Sequence, residues 1–141
     1  MDAGGKDPTR AARGPGARHD RLVLDALRHA EKPLGAYGLL GLLGGAGLRS
    51  PLQVYRALDR LIARGTVHKI VSVGAYAACD GEACNEAGHA VFAVCSQCGR
   101  ADELRAPALD GLLRRLARKR RFRVEAATLE LSGLCETCAD G

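Results

Sequence analysis

The sequence predicts an α+β fold in two parts, a helix-rich N-terminal unit and a smaller C-terminal unit that combines strands with one helix. Apolar residues recur at helical spacing in three segments before residue 65, and two short strand-like segments follow them. Residues 90–131 then have the pattern strand, strand, helix, strand. Only 4% of the 141 residues are aromatic, so we expect light packing and a second unit that needs an additional stabilising element.

The first two helices follow a segment of different composition. Residues 1–17 contain Gly, Pro, Ala and Arg without apolar periodicity and are predicted to form a flexible basic arm. The first helix is predicted from Arg18 to Ala30, with Pro33 just beyond its end. A second, shorter helix is predicted from Leu34 to Leu43, where a cluster of glycines ends it.

The third helix has the clearest boundaries. Ser50 suits the N-cap, Pro51 suits the first turn, and Gly65 can adopt the left-handed conformation that ends a helix. One face is apolar and is predicted to pack inward: Val54, Ala57, Leu58, Leu61 and Ile62. Another face is polar and basic: Gln53, Arg56, Arg60 and Arg64.

A hairpin completes the N-terminal unit. Its two strands are predicted at Thr66–Val71 and Gly74–Ala78. Three helices followed by a two-stranded hairpin describe a winged helix, a fold that binds DNA, and we assign it to residues 18–78. Residues 79–89 lack periodicity and contain two glycines, so they are predicted to form a hinge.

The C-terminal unit, residues 90–141, is predicted to be a small α/β domain. Because it has only about 50 residues, a metal site is expected to stabilise it and self-association is compatible with its size. Its predicted elements are strands at Ala90–Val94, Arg100–Leu104 and Phe122–Leu131 and a helix from Pro107 to Lys119.

Charge and hydropathy limit the class of protein. The formal net charge of +5 favours polyanionic partners such as nucleic acid without identifying one. No apolar run approaches the roughly 20 residues that cross a bilayer, and the first residues lack the apolar stretch of a secretory signal. We therefore expect a cytoplasmic protein with no membrane partner, in which cysteines are metal ligands or reactive thiols more often than disulfides.

Four of the six cysteines form two C-x-x-C pairs, Cys95 with Cys98 and Cys135 with Cys138. Two thiolates three residues apart can bind one ion from a tight turn, and zinc accepts four thiolates tetrahedrally. Such a site has no open position for a substrate, which predicts a structural zinc that joins the two ends of the C-terminal unit.

Four other residues are candidates for a second metal site. His68 and Cys79 flank the second strand of the hairpin. His89 opens the C-terminal unit, and Glu103 ends its second strand. Each has an ordinary explanation by itself, but all four can converge where the two units meet. A metal bound there would couple ligation to the relative orientation of the units.

Four segments carry a resemblance to a known family: VYRALDRLIARGTVHKI at residues 54–70, AYAAC at 75–79, HAVFAVCSQCGRADEL from His89, and the terminal GLCETC. Together they resemble ferric uptake regulator proteins, and most closely the zinc uptake regulator branch. The resemblance implies a homodimeric, metal-dependent transcriptional repressor. Its winged helix would bind an inverted-repeat operator in double-stranded DNA, and its C-terminal domain would dimerise.

The resemblance also implies a composition for the second metal site. In the zinc branch the regulatory site is built from residues at the positions of His68, Cys79, His89 and Glu103. Nitrogen, sulfur and oxygen donors suit Zn²⁺ better than Fe²⁺ or Mn²⁺. We therefore expect two zinc ions per subunit, one structural and one regulatory, with Cys79 preferred over Cys84 as the sulfur ligand.

The third helix is predicted to enter the major groove. Arg56 is the leading candidate for reading bases, because arginine can donate hydrogen bonds to O6 and N7 of guanine. Arg60 and Lys69 are predicted to contact phosphates, and the two tyrosines of the set are expected at thymine methyls or phosphates, as the resemblance also implies. The predicted DNA contacts are Tyr37, Gln53, Tyr55, Arg56, Arg60 and Lys69.

Two other functions stay open, and a third is not expected. An iron- or peroxide-responsive regulator of the same family is the closest alternative. A thiol redox sensor would use one C-x-x-C pair as its reactive couple. A zinc enzyme would need an open metal position and a carboxylate base, and the H-x-E match in the sequence is not followed by P-C-x-x-C. We therefore expect neither enzyme activity nor a small organic substrate.

Overall fold

A computed structural model describes residues 14–79, 89–125 and 127–140 of the chain. Within these ranges no helix has both the length and the apolar character needed to span a membrane. The N-terminal elements are α1 (Pro15–His29), α2 (Ala36–Leu43), α3 (Pro51–Ala63), β1 (Val67–Ile70) and β2 (Ala75–Ala78). The C-terminal elements are β3 (His89–Cys95), β4 (Ala101–Leu104), α4 (Pro107–Arg118), β5 (Ala127–Gly133) and α5 (Glu136–Asp140).

Helix α3 has the boundaries that its sequence predicts. The Ser50 hydroxyl accepts a hydrogen bond from the backbone N–H of Gln53, and the Gln53 side chain accepts one from the backbone N–H of Ser50. This reciprocal capping box satisfies donors that the first turn leaves unpaired. After the C-cap, Gly65 has φ = 76°, a conformation that glycine adopts without the steric cost of a side chain.

The apolar face of α3 forms the centre of the N-terminal core. Val54, Ala57, Leu58 and Leu61 are buried against α1, α2 and β1. Ile62, which was predicted on the same face, is 38% exposed because it lies at the edge of the apolar stripe. The core around these helices therefore holds α3 by one side and leaves its opposite side accessible.

Strands β1 and β2 form an antiparallel hairpin, which we call the wing. Gly74, with φ = 61°, closes the turn between the strands. Leu34 and Tyr76 exchange backbone hydrogen bonds of 3.0 and 2.9 Å, so the segment before α2 pairs with the outer side of β2. The wing is thereby attached to the helical core.

The wing also packs against the C-terminal sheet. Ile70 is fully buried in a cluster with Ala90, Phe92 and Val94 of β3. The backbone N–H of Ser72, at the tip of the wing, donates to the Glu130 carboxylate on β5 at 3.2 Å. The Ile70 cluster and this hydrogen bond together set the relative position of the two units.

The C-terminal sheet has the strand order β4-β3-β5. Strand β4 is antiparallel to β3, and β5 is parallel to β3 after a crossover through α4. Because parallel strands end at the same edge of a sheet, Cys95 at the end of β3 lies beside Gly133 at the end of β5. The segments that follow β3 and β5 therefore start next to each other at this edge of the sheet.

Most element boundaries lie within two residues of the sequence-based prediction, and three larger differences remain. Helix α1 begins at Pro15, inside the segment predicted as an arm, because proline suits a first helical turn. Strand β5 begins at Ala127 rather than Phe122: Arg121, at φ = 54°, and a hydrogen bond from Phe122 N–H to Ala117 O close α4 first. The short helix α5 was not predicted.

We expect Ile70→Ala to lower the free energy of unfolding by about 2–5 kcal/mol, because a fully buried side chain is lost from the contact between wing and sheet. Val71→Ala is the matched control, since Val71 is the next residue and 73% exposed, and it should change stability by less than about 0.5 kcal/mol. Urea unfolding of both variants measures the difference. Equal stabilities would contradict the proposed contribution of this contact.

Candidate metal centres

The two C-x-x-C pairs meet at the edge where β3 and β5 end. Their four sulfur atoms all lie within 4.8 Å of one another. The Sγ atoms of Cys98 and Cys135, one from each pair, are 3.8 Å apart. Gly99 follows the first pair with φ = 79°, which lets the chain turn sharply after the second sulfur.

This arrangement fits a tetrahedral zinc site. Four sulfurs at about 2.3 Å from one ion are separated by about 3.8 Å, the distance found between Cys98 and Cys135. The backbone N–H of Cys98 donates to the Cys95 sulfur, and together with that of Cys135 it lowers the pKa of Cys95 to about 6. Hydrogen bonding with the Cys135 side chain raises the pKa of Cys138 to about 12. Four sulfurs so close cannot all be thiolates without a cation between them.

A second cluster lies where the wing meets the C-terminal sheet. His68 on β1, Cys79 just after β2 and Glu103 on β4 have ligand atoms that all lie within 4.8 Å of one another. The Cys79 sulfur is 3.6 Å from Oε1 of Glu103. Sulfur and oxygen ligands of one tetrahedral zinc are separated by about 3.5 Å, so this pair also has a suitable spacing.

The His68 ring supplies further support for a ligand role. Its Nε2 atom is buried and has no hydrogen-bond partner among the described residues, a state that costs free energy unless something binds the nitrogen. Burial lowers the pKa of His68, while the negative charge of Glu103 opposes this shift. The ring is therefore held in its neutral form, which is the form that binds metal ions. Its face also contacts Phe92, with ring centroids 5.7 Å apart.

Two further facts concern the candidate ligands Cys79 and His89. Cys79 is disulfide-bonded in the structure, so its sulfur must be reduced before it can bind zinc as a thiolate. His89 begins β3, but its side chain and the whole of Cys84 lie outside the described parts of the chain. The choice between Cys79 and Cys84 therefore stays a prediction, as does the role of His89.

Four of the residues predicted to contact DNA are exposed: Tyr37, Tyr55, Arg56 and Lys69. Gln53 differs from them, because its side-chain oxygen also accepts a hydrogen bond from the backbone N–H of Arg49 at 2.7 Å. The amide oxygen of Gln53 is thus already used to cap the N-terminus of α3.

Arg60 is also engaged within the protein. Its guanidinium donates to the carboxylate of Asp20 on α1 at 2.9 and 3.1 Å. The predicted phosphate contact of Arg60 therefore competes with an internal ion pair. Sequence reasoning missed Asp20, because its partner lies 40 residues away and no local pattern connects them.

No family model matches the chain, but curated proteins and solved structures that are similar to it exist. The zinc uptake regulation protein of Escherichia coli (strain K12) is 34% identical over 121 residues, which cover 84% of this chain and 69% of that protein. A protein of the same description from Shigella flexneri matches equally.

Two solved structures are similar to this fold. The crystal structure of holo XcZur has a TM-score of 0.77 and 37% identity, and the match covers 87% of this chain and 85% of that chain. A zinc uptake regulator complexed with zinc and DNA has the same TM-score and 29% identity, with 94% and 89% of the two chains covered.

We expect Cys98→Ser to remove one equivalent of tightly held zinc per chain and to lower resistance to urea, because zinc that binds only the folded site stabilises it. Elemental analysis after extensive dialysis measures the loss. The control is Cys79→Ser, which removes a cysteine outside the four-sulfur cluster and should retain this zinc. A Cys98→Ser variant with unchanged zinc content would contradict the assignment.

Proposed function

The chain belongs to the zinc uptake regulator branch of the ferric uptake regulator family, and from this membership we propose that it is a zinc-responsive transcriptional repressor. The protein acts in the cytoplasm. It binds operator DNA as a homodimer when a regulatory zinc site is filled, and it thereby controls genes for zinc uptake. One observation carries the proposal most directly. The His68 nitrogen, which has no hydrogen-bond partner in the described parts of the chain, lies beside a sulfur and a carboxylate, and the three side chains come from both units.

Two zinc ions per subunit have different roles in this proposal. The four-sulfur site is saturated by protein ligands and braces the C-terminal domain. The second site takes His68, Cys79 and Glu103, with His89 as the fourth ligand. Its mixed nitrogen, sulfur and oxygen donors favour zinc over iron or manganese, so this site senses zinc.

Zinc at the second site acts by fastening the wing to the C-terminal domain. His68 and Cys79 belong to the wing region, while Glu103 belongs to the sheet. An ion bound to all three favours the orientation in which they converge, in addition to the apolar contact of Ile70. Since β1 packs against α3, that orientation also determines where α3 is presented to DNA. By linkage, operator DNA tightens the binding of regulatory zinc.

A second copy of the chain covers the apolar surface of the C-terminal domain. Helix α4 is strongly amphipathic but buries none of its residues within the described chain. Leu112 and Leu116 on α4 and Leu131 on β5 are all exposed. A two-fold dimer through this surface would present two copies of α3, which accounts for an operator with inverted-repeat symmetry.

The exposed side of α3 is the surface that reads DNA. Arg56 projects from its middle and is exposed, so its guanidinium can reach the edge of a guanine. Tyr37, Tyr55 and Lys69 are exposed as well and contribute contacts to phosphates or thymine methyls. An iron- or peroxide-responsive regulator is the alternative, and operator binding across buffered zinc, iron and manganese distinguishes the two.

Arg56→Ala should weaken operator binding by about 1–3 kcal/mol and reduce discrimination between sequences, because a bidentate contact to guanine is lost. Fluorescence titration of the zinc-loaded protein with an operator duplex measures both effects. Arg105→Ala is the control, since it removes an exposed cation of equal charge from the C-terminal domain. If the two variants bind alike, Arg56 does not read the operator.

Cys79→Ser should keep the fold and the four-sulfur zinc but lose most of the zinc dependence of DNA binding, because the regulatory site loses its thiolate. The measurement is operator affinity across a zinc-buffer series under reducing conditions, with bound zinc counted in parallel. Glu103→Gln should weaken the zinc response in the same way. The control is Glu125→Gln, the same substitution at an exposed glutamate, which should not weaken it. A full zinc response in Cys79→Ser would transfer the sulfur-ligand role to Cys84 or to another set.

A further inference from the structure

Asp20 is a charged residue of α1 that is only 2% exposed. A buried carboxylate is costly unless it is paired and hydrogen-bonded, so its partners are structurally significant. Arg60 of α3 and Arg64, the residue that caps the C-terminus of α3, are its two partners. Nη2 of Arg60 lies 2.8 Å from one carboxylate oxygen, and Nη2 of Arg64 lies 3.2 Å from the other.

Arg60 is held by more than the charge of Asp20. Its Nε donates to the same carboxylate, and its Nη2 donates to the backbone carbonyl of Gly16 at 3.3 Å. A Cβ atom at position 16 would lie 3.4 Å from the guanidinium, which is already van der Waals contact, so Gly16 and Arg60 are closely packed. The planar, forked guanidinium matches these acceptors, and the point charge of a lysine would not.

These contacts divide the arginines of α3 into two groups. Arg56, Arg60 and Arg64 occur at intervals of four residues and therefore follow one side of the helix. Asp20 is paired with Arg60 and Arg64, while Arg56 is exposed. A released Arg60 or Arg64 would be attracted to any DNA phosphate, and phosphate contacts add affinity without sequence information.

We propose that Asp20 is a positioning residue for sequence recognition: it holds Arg60 and Arg64 away from the DNA backbone and anchors α3 to α1, so that Arg56 dominates the contact with bases. The proposal rests on the proposed DNA-binding function. It assigns Arg60 an internal role in place of the phosphate contact that the sequence predicted. A purely structural ion pair would affect stability alone, whereas this role also affects the salt dependence and selectivity of DNA binding.

The test is Asp20→Asn, compared with Asp25→Asn. Asp25 is exposed on the same helix, so its substitution changes the net charge equally without touching the arginines. Binding of each zinc-loaded full-length protein is measured across a salt series on two duplexes. One is selected from random-sequence DNA by the wild-type protein, and the other is an unselected duplex of equal length.

For Asp20→Asn we expect the ratio of selected to unselected affinity to fall by about tenfold relative to Asp25→Asn. The slope of log affinity against log salt on the unselected duplex should become steeper by about 0.9 for each arginine that gains a phosphate. Replacing Arg60 and Arg64 by Gln in the Asp20→Asn background should remove this increase. Equal slopes and equal ratios for Asp20→Asn and Asp25→Asn would overturn the proposal.

Arg60→Lys keeps the test decisive if Asp20→Asn does not fold. A lysine retains the charge but not the forked contact with Asp20 and Gly16, so selectivity should fall and the salt slope should rise, while unchanged values would overturn the proposal. Failure of the function itself looks different. In that case the wild-type protein shows no zinc-dependent selection of any duplex.

Discussion

Burial of Ile70 against β3 determines how the two units of this chain are joined, and the second metal cluster depends on that contact. Ile70 and His68 are two positions apart on β1, so their side chains point to the same side of the wing. Phe92 on β3 packs in the cluster with Ile70 and lies opposite Glu103 in the β3–β4 register. Placing Ile70 in the cluster therefore brings His68 towards Glu103. One apolar contact thus aligns two candidate ligands that come from different units.

The positions of the two clusters in the fold agree with the structural and regulatory roles proposed for them. All four sulfurs of the first belong to one domain and lie just beyond strands that share an edge. The second draws on three strands or their ends, and two of these belong to the wing. The clusters are nevertheless connected through the sheet, because β3 ends at Cys95 and pairs with the strand that carries Glu103. In the proposed function, the four-sulfur site would therefore also stabilise the strand that supplies Glu103 to the regulatory site.

Local signals in the sequence were sufficient for the elements that local interactions determine. Ser50, Gln53 and Gly65 define α3 through contacts within one turn, and such contacts are visible as a residue pattern. The start of β5 was not predictable in the same way, since it depends on Arg121 adopting a left-handed conformation that usually belongs to glycine. The pairing of Asp20 with Arg60 joins helices that are distant in sequence, so only the packed core reveals it. Residue types and spacing predicted that the four paired cysteines lie together and that His68 and Cys79 approach Glu103, as the structure has them, but their separations required the sheet register.

The parallel pairing of β3 with β5 has a consequence for the supply of zinc during the life of the protein. Cys98 and Cys135 are 37 residues apart, and the intervening crossover must be in place before their sulfurs can share an ion. Acquisition of that ion and completion of the domain are therefore coupled events. If the proposed function holds, a protein that is braced by one zinc ion and senses another must retain the first ion under the zinc scarcity that empties its second site. Under the proposed function, the four-sulfur site, whose ligands all belong to one domain, would hold zinc more tightly than the second site, so a newly made chain would fill its structural site first.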